Sequence, residues 1–110
     1  MEKLRIYQKA LELIGKIYKL IRNNPQLTRD FSLNDQLKRA AVSILANIAE
    51  GYCRSTKQFQ NYLQISSGSA NETVSILQVI MLVYSIETST LQEEFRVLGK
   101  QINSFSKTLH

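Results

Sequence analysis

The chain has 110 residues, of which 44% are hydrophobic and 21% are charged. This length fits one small domain, and the composition excludes a disordered or collagen-like chain. The longest unbroken apolar run covers only residues 79–84, whereas a membrane-spanning helix needs about 20 residues. The first residues are charged and lack the apolar stretch of a secretory signal. We therefore expect a single cytoplasmic domain over residues 1–110, with no membrane partner.

Positive charge is concentrated in the first half of the chain. The net charge is +5, from 14 lysines and arginines against 9 acidic residues. Residues 1–57 carry a net charge of +6, and residues 58–110 carry −1. This asymmetry favours a polyanionic partner, with RNA or DNA ahead of an anionic membrane surface. The alternative is a generally basic surface that keeps a small protein soluble.

The apolar residues recur with the period of an α-helix, and the chain has only four glycines and one proline. This pattern predicts four helices, near residues 3–23, 33–52, 56–86 and 90–108. Four amphipathic helices joined by short connections indicate an all-α, up-down-up-down antiparallel four-helix bundle.

The first predicted helix carries two adjacent apolar seams, which make a wider face than one neighbouring helix needs. One seam contains Tyr7, Leu11, Ile14, Tyr18 and Ile21, and the other contains Ile6, Ala10, Leu13, Ile17 and Leu20. We expect Ile6, Leu13, Ile17 or Leu20 to stay partly outside the bundle, joined by Tyr18. An exposed stripe of that size predicts self-association.

Short polar motifs mark the helix boundaries. Pro25 ends the first helix, because the residue before a proline avoids the helical conformation. Motifs that begin at Ser32, Ser55 and Thr90 resemble caps for the next three helices. Gly51 is suited to end the second helix.

The second and third helices are expected to share a polar contact. If these helices turn back around Ser55, Arg39 lies opposite Glu72 and Ser43 lies opposite Ser67. We therefore predict an Arg39–Glu72 ion pair as a structural polar pair. Glycine costs about 1 kcal/mol in a helix interior, so Gly68 predicts a close contact between the two helices.

The sequence offers little catalytic or metal-binding chemistry. Cys53 is the only cysteine and His110 is the only histidine, so four zinc ligands of this kind are not available. The chain has no phosphate-binding glycine loop and none of the Glu-x-x-His motifs of carboxylate metal bundles. We expect no enzyme activity, no metal site and no cofactor.

A set of residues in the second and third helices resembles a known family. The set comprises Arg39-Ala40-Ala41-Val42-Ser43-Ile44, Asn47-Ile48-Ala49-Glu50-Gly51-Tyr52, Ser55, Phe59, Leu63, Gly68-Ser69 and Glu72. It is similar to the small four-helix bundle proteins encoded in intervening sequences of bacterial 23S ribosomal RNA genes. The resemblance covers most of the chain, with the last helix matched only by its apolar pattern. Cys53 departs from the glycine usual in the family, and Val74 stands where a second acid often follows.

The resemblance implies that antiparallel bundles assemble into a homopentameric ring. It also implies kinship with the accessory proteins of diversity-generating retroelements, which are basic barrels that bind nucleic acid and a reverse transcriptase. A family resemblance of this kind indicates fold more firmly than function.

The leading functional hypothesis is a non-catalytic, oligomeric bundle that binds RNA or DNA through phosphate contacts. The candidate contact residues are Lys9, Lys19, Lys38 and Lys57, followed by Arg5 and Arg22. The alternative for each residue is that it only solvates its helix face. The rival function is a scaffold for an acidic protein partner or a reverse transcriptase.

Overall fold

The computed structural model describes all 110 residues and contains five helices and no strand. The helices are α1 (Glu2–Asn23), α2 (Pro25–Arg29), α3 (Phe31–Tyr52), α4 (Thr56–Tyr84) and α5 (Ser89–Lys107). Among the four long helices, α1 and α4 each pack against both α3 and α5, and the short α2 contacts α1, α3 and α4 at one end. The molecule measures 45 × 21 × 18 Å. The predicted all-α bundle is confirmed, with α2 as an additional helix.

The core is one cluster of 21 buried hydrophobic side chains. From α1 it takes the seam that lies between α3 and α5, and that seam consists of Ile6, Ala10, Leu13, Ile17 and Ile21. The expectation that Ile6, Leu13, Ile17 or Leu20 stays partly outside is wrong for the first three, because they are 0% exposed. Leu20 is only half-buried, however, and Tyr18 is exposed. The large hydrophobic residues of α1 that are left exposed are Leu4, Leu11 and Tyr18.

The end of α1 and the start of α3 lie on either side of the short helix α2. Pro25 follows the end of α1 as predicted, and it then opens α2, where its missing N–H leaves no helical bond unmade. The predicted cap at Ser32 is wrong. Asp30 is the cap, because its carboxylate accepts a hydrogen bond from the Leu33 amide at 3.1 Å, and α3 consequently begins at Phe31.

The sequence predicted the start of α4 correctly, but not the end of α4 or the start of α5. The cap at Ser55 is confirmed, since its side chain accepts a hydrogen bond from the Gln58 amide at 3.3 Å. Helix α4 ends at Tyr84, two residues earlier than predicted, because Ser85 adopts a left-handed backbone with φ of 57°. The predicted cap at Thr90 is wrong, because α5 begins at Ser89 with Thr88 in the N-cap position. The Thr88 hydroxyl donates to the Leu77 carbonyl of α4 and makes no cap hydrogen bond.

Small residues of α4 bring its neighbours close, but Gly68 is not one of them. Ser66 donates a hydrogen bond to a carbonyl of α3 at 2.7 Å, and Ser67 donates to the Gly99 carbonyl of α5 at 2.9 Å. A Cβ added at Gly99 would lie 3.2 Å from the Cβ of Ala70, whereas a Cβ added at Gly68 would have no neighbour within 4 Å. The predicted close contact at Gly68 is wrong because this glycine faces solvent.

Gly51 also serves packing and not helix termination. Helix α3 continues through it to Tyr52. A Cβ at position 51 would lie only 2.6 Å from the Cβ of Tyr62 on α4. The absence of a side chain at Gly51 therefore allows the C-terminal end of α3 to lie directly against the first turns of α4.

Candidate nucleic-acid interface

Arg39 and Glu72 do not form the predicted ion pair. The guanidinium Nε of Arg39 lies 2.7 Å from a carboxylate oxygen of Asp35, one turn earlier on the same helix, and the Arg39 side chain is 80% exposed. The nearby contact between α3 and α4 is made by the hydroxyls of Ser43 and Ser69, 2.9 Å apart. Glu72 lies exposed on α4 and takes part in no ion pair.

Lys9 belongs to a network of ion pairs between α1 and α5. Its Nζ lies 2.9 Å from a carboxylate oxygen of Glu12 and 3.7 Å from one of Glu94, and Lys16 lies 2.8 Å from Glu94. The hydrogen bond from Lys9 lowers the pKa of Glu12, and the hydrogen bond to Glu94 raises the pKa of Lys16. The charge of Lys9 is thus balanced locally, which makes this residue a weak candidate for a phosphate contact.

Three of the predicted contact residues gather at the end of the bundle where α2 connects α1 to α3. The Nζ of Lys38 lies 5.2 Å from the ring centre of Tyr18, which places the start of α3 beside the end of α1. Lys19 and Arg22 are exposed within about one helical turn of Tyr18. Arg29 is exposed on α2 at the same end. We name Lys19, Arg22, Arg29 and Lys38 the α2-end cluster.

Sequence reasoning missed Arg29 because α2 was not predicted as a helix. Its signal was present nonetheless, since Pro25 is a favourable first residue for a helix. A short helix that starts at Pro25 and ends at Arg29 keeps this cation at the end of the bundle.

The remaining predicted contact residues lie elsewhere. Lys57 is exposed at the start of α4, at the opposite end of the bundle. The part of α3 that follows Lys38 alone spans about 21 Å, at 1.5 Å per residue. Arg5 lies 3.5 Å from a carboxylate oxygen of Glu2. The six predicted residues therefore do not form one site, since three share an end, Lys57 lies at the other, and Arg5 and Lys9 are paired.

The net positive charge resides in side chains outside the ion pairs. Six cations and six carboxylates form those pairs. The other cations are Lys3, Lys19, Arg22, Arg29, Lys38, Lys57, Lys100 and Lys107, and the other carboxylates are Asp30, Glu72 and Glu87. The difference between these two sets accounts for the whole net charge of +5.

A row of cations on α5 was overlooked at the level of sequence. Arg96, Lys100 and Lys107 follow each other at helical spacings of four and seven residues, so they share one face of the helix. Residues 58–110 are net negative, and this average concealed the row. The periodicity of the charged residues, which is readable from the sequence, could have revealed it.

An exposed apolar surface runs along the groove between α1 and α3. We name it the α1–α3 face, and its residues are Leu4, Leu11, Tyr18, Val42 and Tyr52, each at least 40% exposed. At one end Lys3 donates a hydrogen bond to the Tyr52 hydroxyl at 2.7 Å. At the other end Lys38 lies over Tyr18. The apolar surface is thus bordered by a lysine at each end.

Asp30 and Tyr84 connect the start of α3 to the end of α4. The Tyr84 hydroxyl donates a hydrogen bond to a carboxylate oxygen of Asp30 at 2.7 Å. This bond lowers the pKa of Asp30, helped by the Leu33 amide, and raises the pKa of Tyr84. The contact holds the two chain segments together at the end that carries the α2-end cluster.

Reactive side chains are few and lie apart. Cys53 is exposed in the turn after α3, and His110 lies beyond the end of α5. No three or more histidine, cysteine, aspartate or glutamate side chains are placed to hold a metal ion together. None of the five helices combines the length and apolar composition that crossing a bilayer requires.

Comparison with known proteins identifies a family and finds six matching chains among the solved structures. The family described as 23S rRNA-intervening sequence protein matches residues 2–110. A crystal structure of a protein of unknown function from the S23 ribosomal protein family, from Bacteroides thetaiotaomicron, has a TM-score of 0.71 and 28% sequence identity to this chain. The match covers 94% of this chain and 95% of that chain. No functionally curated protein matches.

Proposed function

The chain belongs to the 23S rRNA-intervening sequence protein family, and we propose that this member is a non-catalytic, self-associating helical bundle that binds RNA or DNA. The observation that carries the proposal is the set of eight cations outside ion pairs, against three such carboxylates. Six of these eight cations are exposed, whereas Lys3 and Lys38 are half-buried and lie over tyrosine rings. Lysine and arginine outside ion pairs gain affinity for a polyphosphate backbone by releasing its condensed counterions.

The α2-end cluster is the proposed contact surface, and it contains three of the six predicted residues. Lys19, Arg22, Arg29 and Lys38 supply four cations there. Phe31 is 81% exposed and lies beside Lys38, so one unpaired base could stack on its ring. Most other aromatic side chains are partly covered or buried, so phosphate contacts carry most of the affinity.

The test is fluorescence anisotropy with a labelled structured RNA, titrated at 50, 100 and 200 mM salt. Each phosphate contact adds about 0.7 for single strands, or about 0.9 for duplex DNA, to the negative slope of log affinity against log salt. We expect tight binding at low salt, a steep loss as salt rises and little preference among sequences. An unrelated acidic protein serves as competitor. An absence of RNA binding at 50 mM salt would contradict the proposal.

The α1–α3 face supports self-association as the second part of the proposal. The five exposed apolar side chains of this face lie together along one groove and are not scattered singly over the surface. A contiguous exposed apolar patch marks an association site. Ring closure by identical subunits would place several cationic surfaces around one axis. The homopentamer implied by the family resemblance would have five times the 12.6 kDa mass of the chain.

Light scattering on two matched variants tests this second part. Leu11→Glu places a carboxylate in the middle of the α1–α3 face, and Gln78→Glu places one on an exposed position of α4, a helix that contributes no residue to that face. We expect the wild type and Gln78→Glu to form the same oligomer and Leu11→Glu to fall to 12.6 kDa. A wild-type particle of 12.6 kDa at micromolar concentration would refute self-association.

A protein partner is the second candidate function, and the borders of the α1–α3 face favour it. Lys3 and Lys38 at the two ends of an apolar groove suit an amphipathic helix with acidic flanks. A reverse transcriptase that presents such a helix would fit this description. Binding of a labelled acidic amphipathic peptide, with no binding of the labelled RNA in the same assay, would favour this candidate.

A further inference from the structure

The face formed by α4 and α5 differs in composition from the rest of the surface. We name it the α4–α5 face, and its residues are Lys57, Gln64 and Asn71 of α4 and Arg96, Lys100, Asn103 and Lys107 of α5. The α4 members are seven residues apart and therefore share one side of α4. The α5 members are three or four residues apart and likewise share one side of α5. All are exposed except Arg96 and Asn103, which are half-buried.

Hydrogen bonds show that the two stripes lie side by side. Gln60 donates to the Ser106 carbonyl at 3.1 Å, and Ser67 donates to the Gly99 carbonyl at 2.9 Å. These contacts lie between the members of the face along each helix. Because Gly99 carries no side chain and meets Ala70, the helix axes approach closely, at about 8 to 10 Å. Side chains from both stripes can therefore contact one narrow ligand.

The α4–α5 face is cationic and free of unpaired carboxylates. Two acidic residues adjoin it, and both are paired. Glu93 lies 2.7 Å from Arg96, and Glu2, which shares a surface groove with Lys100, lies 3.5 Å from Arg5. Glu72 follows Asn71 directly and therefore lies about 100° further round α4, away from α5. Lys57, Lys100 and Lys107 have no carboxylate partner. The face presents three unpaired cations without a competing acid.

The amides of the face are also without protein partners. The side chains of Gln64, Asn71 and Asn103 form no hydrogen bond within the protein, although other amides do, including those of Gln60 and Asn47. An amide both donates and accepts, which suits sugar hydroxyls and the edges of bases. In a double-stranded RNA the base edges of the major groove are out of reach of side chains, whereas unpaired bases are accessible.

We propose that the α4–α5 face binds one unpaired strand of RNA or DNA, with Lys57, Lys100 and Lys107 on its phosphates and the amides on its sugars and bases. This proposal rests on nucleic-acid binding as the function and adds a surface to the α2-end cluster. From Lys57 to Asn71 the face is about 21 Å long. That length corresponds to about six nucleotides at the 3.4 Å spacing of a stacked strand.

The expected effect of removing two phosphate contacts follows from counterion release. Two contacts at about 0.7 each lower the salt slope by about 1.4 for a single strand. Between 1 M and 0.1 M salt, a slope of about 1.4 changes the affinity by about 25-fold. Removing both contacts should therefore weaken binding at 0.1 M salt by about this factor. Reversing the charge of both lysines adds repulsion, so about 25-fold is the minimum expected for Lys100→Glu with Lys107→Glu.

The experiment uses fluorescence anisotropy and a labelled RNA strand of about 12 nucleotides, which is twice the length of the face. Binding is measured for this single strand and for the duplex that it forms with its complement. The control is Lys16→Glu with Arg39→Glu, which makes the same change in net charge at two cations that are paired with carboxylates and belong to neither proposed contact surface. We expect the α5 double variant to lose about 25-fold or more for the single strand and the control to lose less than about fivefold. Gln64→Ala with Asn103→Ala should weaken the single strand while leaving the salt slope and duplex binding unchanged, which a purely electrostatic surface would not produce.

The outcomes separate this inference from the proposed function. If the wild type binds and both charge variants lose affinity equally, or only the control does, the α4–α5 face is not the strand site. If the amide variant binds the strand like the wild type, the amides do not contact it. If the wild type fails to bind any nucleic acid at 50 mM salt, the proposed function fails and this inference fails with it. Helical content measured by circular dichroism confirms that each variant is folded. If Lys100→Glu with Lys107→Glu is not folded, Lys100→Gln with Lys107→Gln takes its place.

Discussion

Substitution of the glycines by alanine should divide them into two classes. All four glycines of the chain lie within helices. At Gly15 and Gly68 an added Cβ would have no neighbour within 4 Å. At Gly51 it would lie 2.6 Å from the Cβ of Tyr62 and 3.0 Å from the ring of Phe59. The same chemical change is therefore unopposed at two positions and obstructed at the third.

The magnitudes follow from helix propensity and packing. Alanine is favoured over glycine in a helix interior by about 0.8 to 1 kcal/mol, so Gly15→Ala and Gly68→Ala should each stabilise the protein by nearly that amount. At Gly51 this gain opposes an overpacking cost of about 1 to 3 kcal/mol. The cost should lie in the upper part of that range, because the Cβ of Tyr62 is fixed to the α4 backbone and cannot rotate away. We expect Gly51→Ala to destabilise by about 1 to 2 kcal/mol.

Urea unfolding followed by circular dichroism measures these differences, with all variants at one protein concentration so that any oligomer contributes equally. A change of 1 kcal/mol should also move Tm by about 4 °C for a chain of this size. If Gly51→Ala is as stable as Gly15→Ala, the tight contact between α3 and α4 does not exist. If Gly68→Ala is destabilised by more than about 1 kcal/mol, an additional molecule covers the outer surface of α4.

Three further predictions follow from the polar contacts. The lowered pKa of Asp30 stabilises the fold above the ordinary carboxyl pKa, and that stabilisation is lost as pH falls through the lowered value. Tyr84→Phe should therefore reduce resistance to urea at neutral pH, and the decline of that resistance below about pH 4 should become flatter. An unchanged pH profile would count against the hydrogen bond between Tyr84 and Asp30. Glu72→Gln should leave Tm within about 2 °C of the wild type, because an exposed, unpaired carboxylate contributes about 0 to 0.5 kcal/mol; a large loss of Tm would restore the case for a buried partner. Reversing the charges of Lys38 and Lys57 together should weaken RNA binding at low salt without loss of helical content, and unchanged affinity would favour the protein-partner candidate.

Local periodicity was enough to predict the four long helices and most of their buried sides. Leu37 and Ile44 of α3 are seven residues apart, Phe95 and Leu98 of α5 are three apart, and all four are buried. A helix side repeats every 3.6 residues whatever it packs against, so the sequence carries this information directly. The excess of positive charge is equally a property of composition and needs no fold to be known.

The candidate site could be predicted only in part, because ion pairing depends on distances through space. Composition identified Lys9 and Lys38 alike as candidate contacts, but Lys9 lies between carboxylates of α1 and α5, whereas Lys38 lies over Tyr18. Arg39 is satisfied within its own helix by Asp35. Which cations remain available to a ligand is decided by which helices are neighbours and how they are rotated.

The same reason explains the two features of packing that sequence alone left open. Helix α1 has two apolar seams of similar quality, and the positions of α3 and α5 determine that the Ile6 seam is buried while Leu4 and Leu11 are exposed. Gly68 and Gly99 look equivalent in sequence, yet only Gly99 faces another helix. Periodicity determines which residues share a side of a helix, but the rotation of each helix about its axis is chosen by the combined burial of all its neighbours.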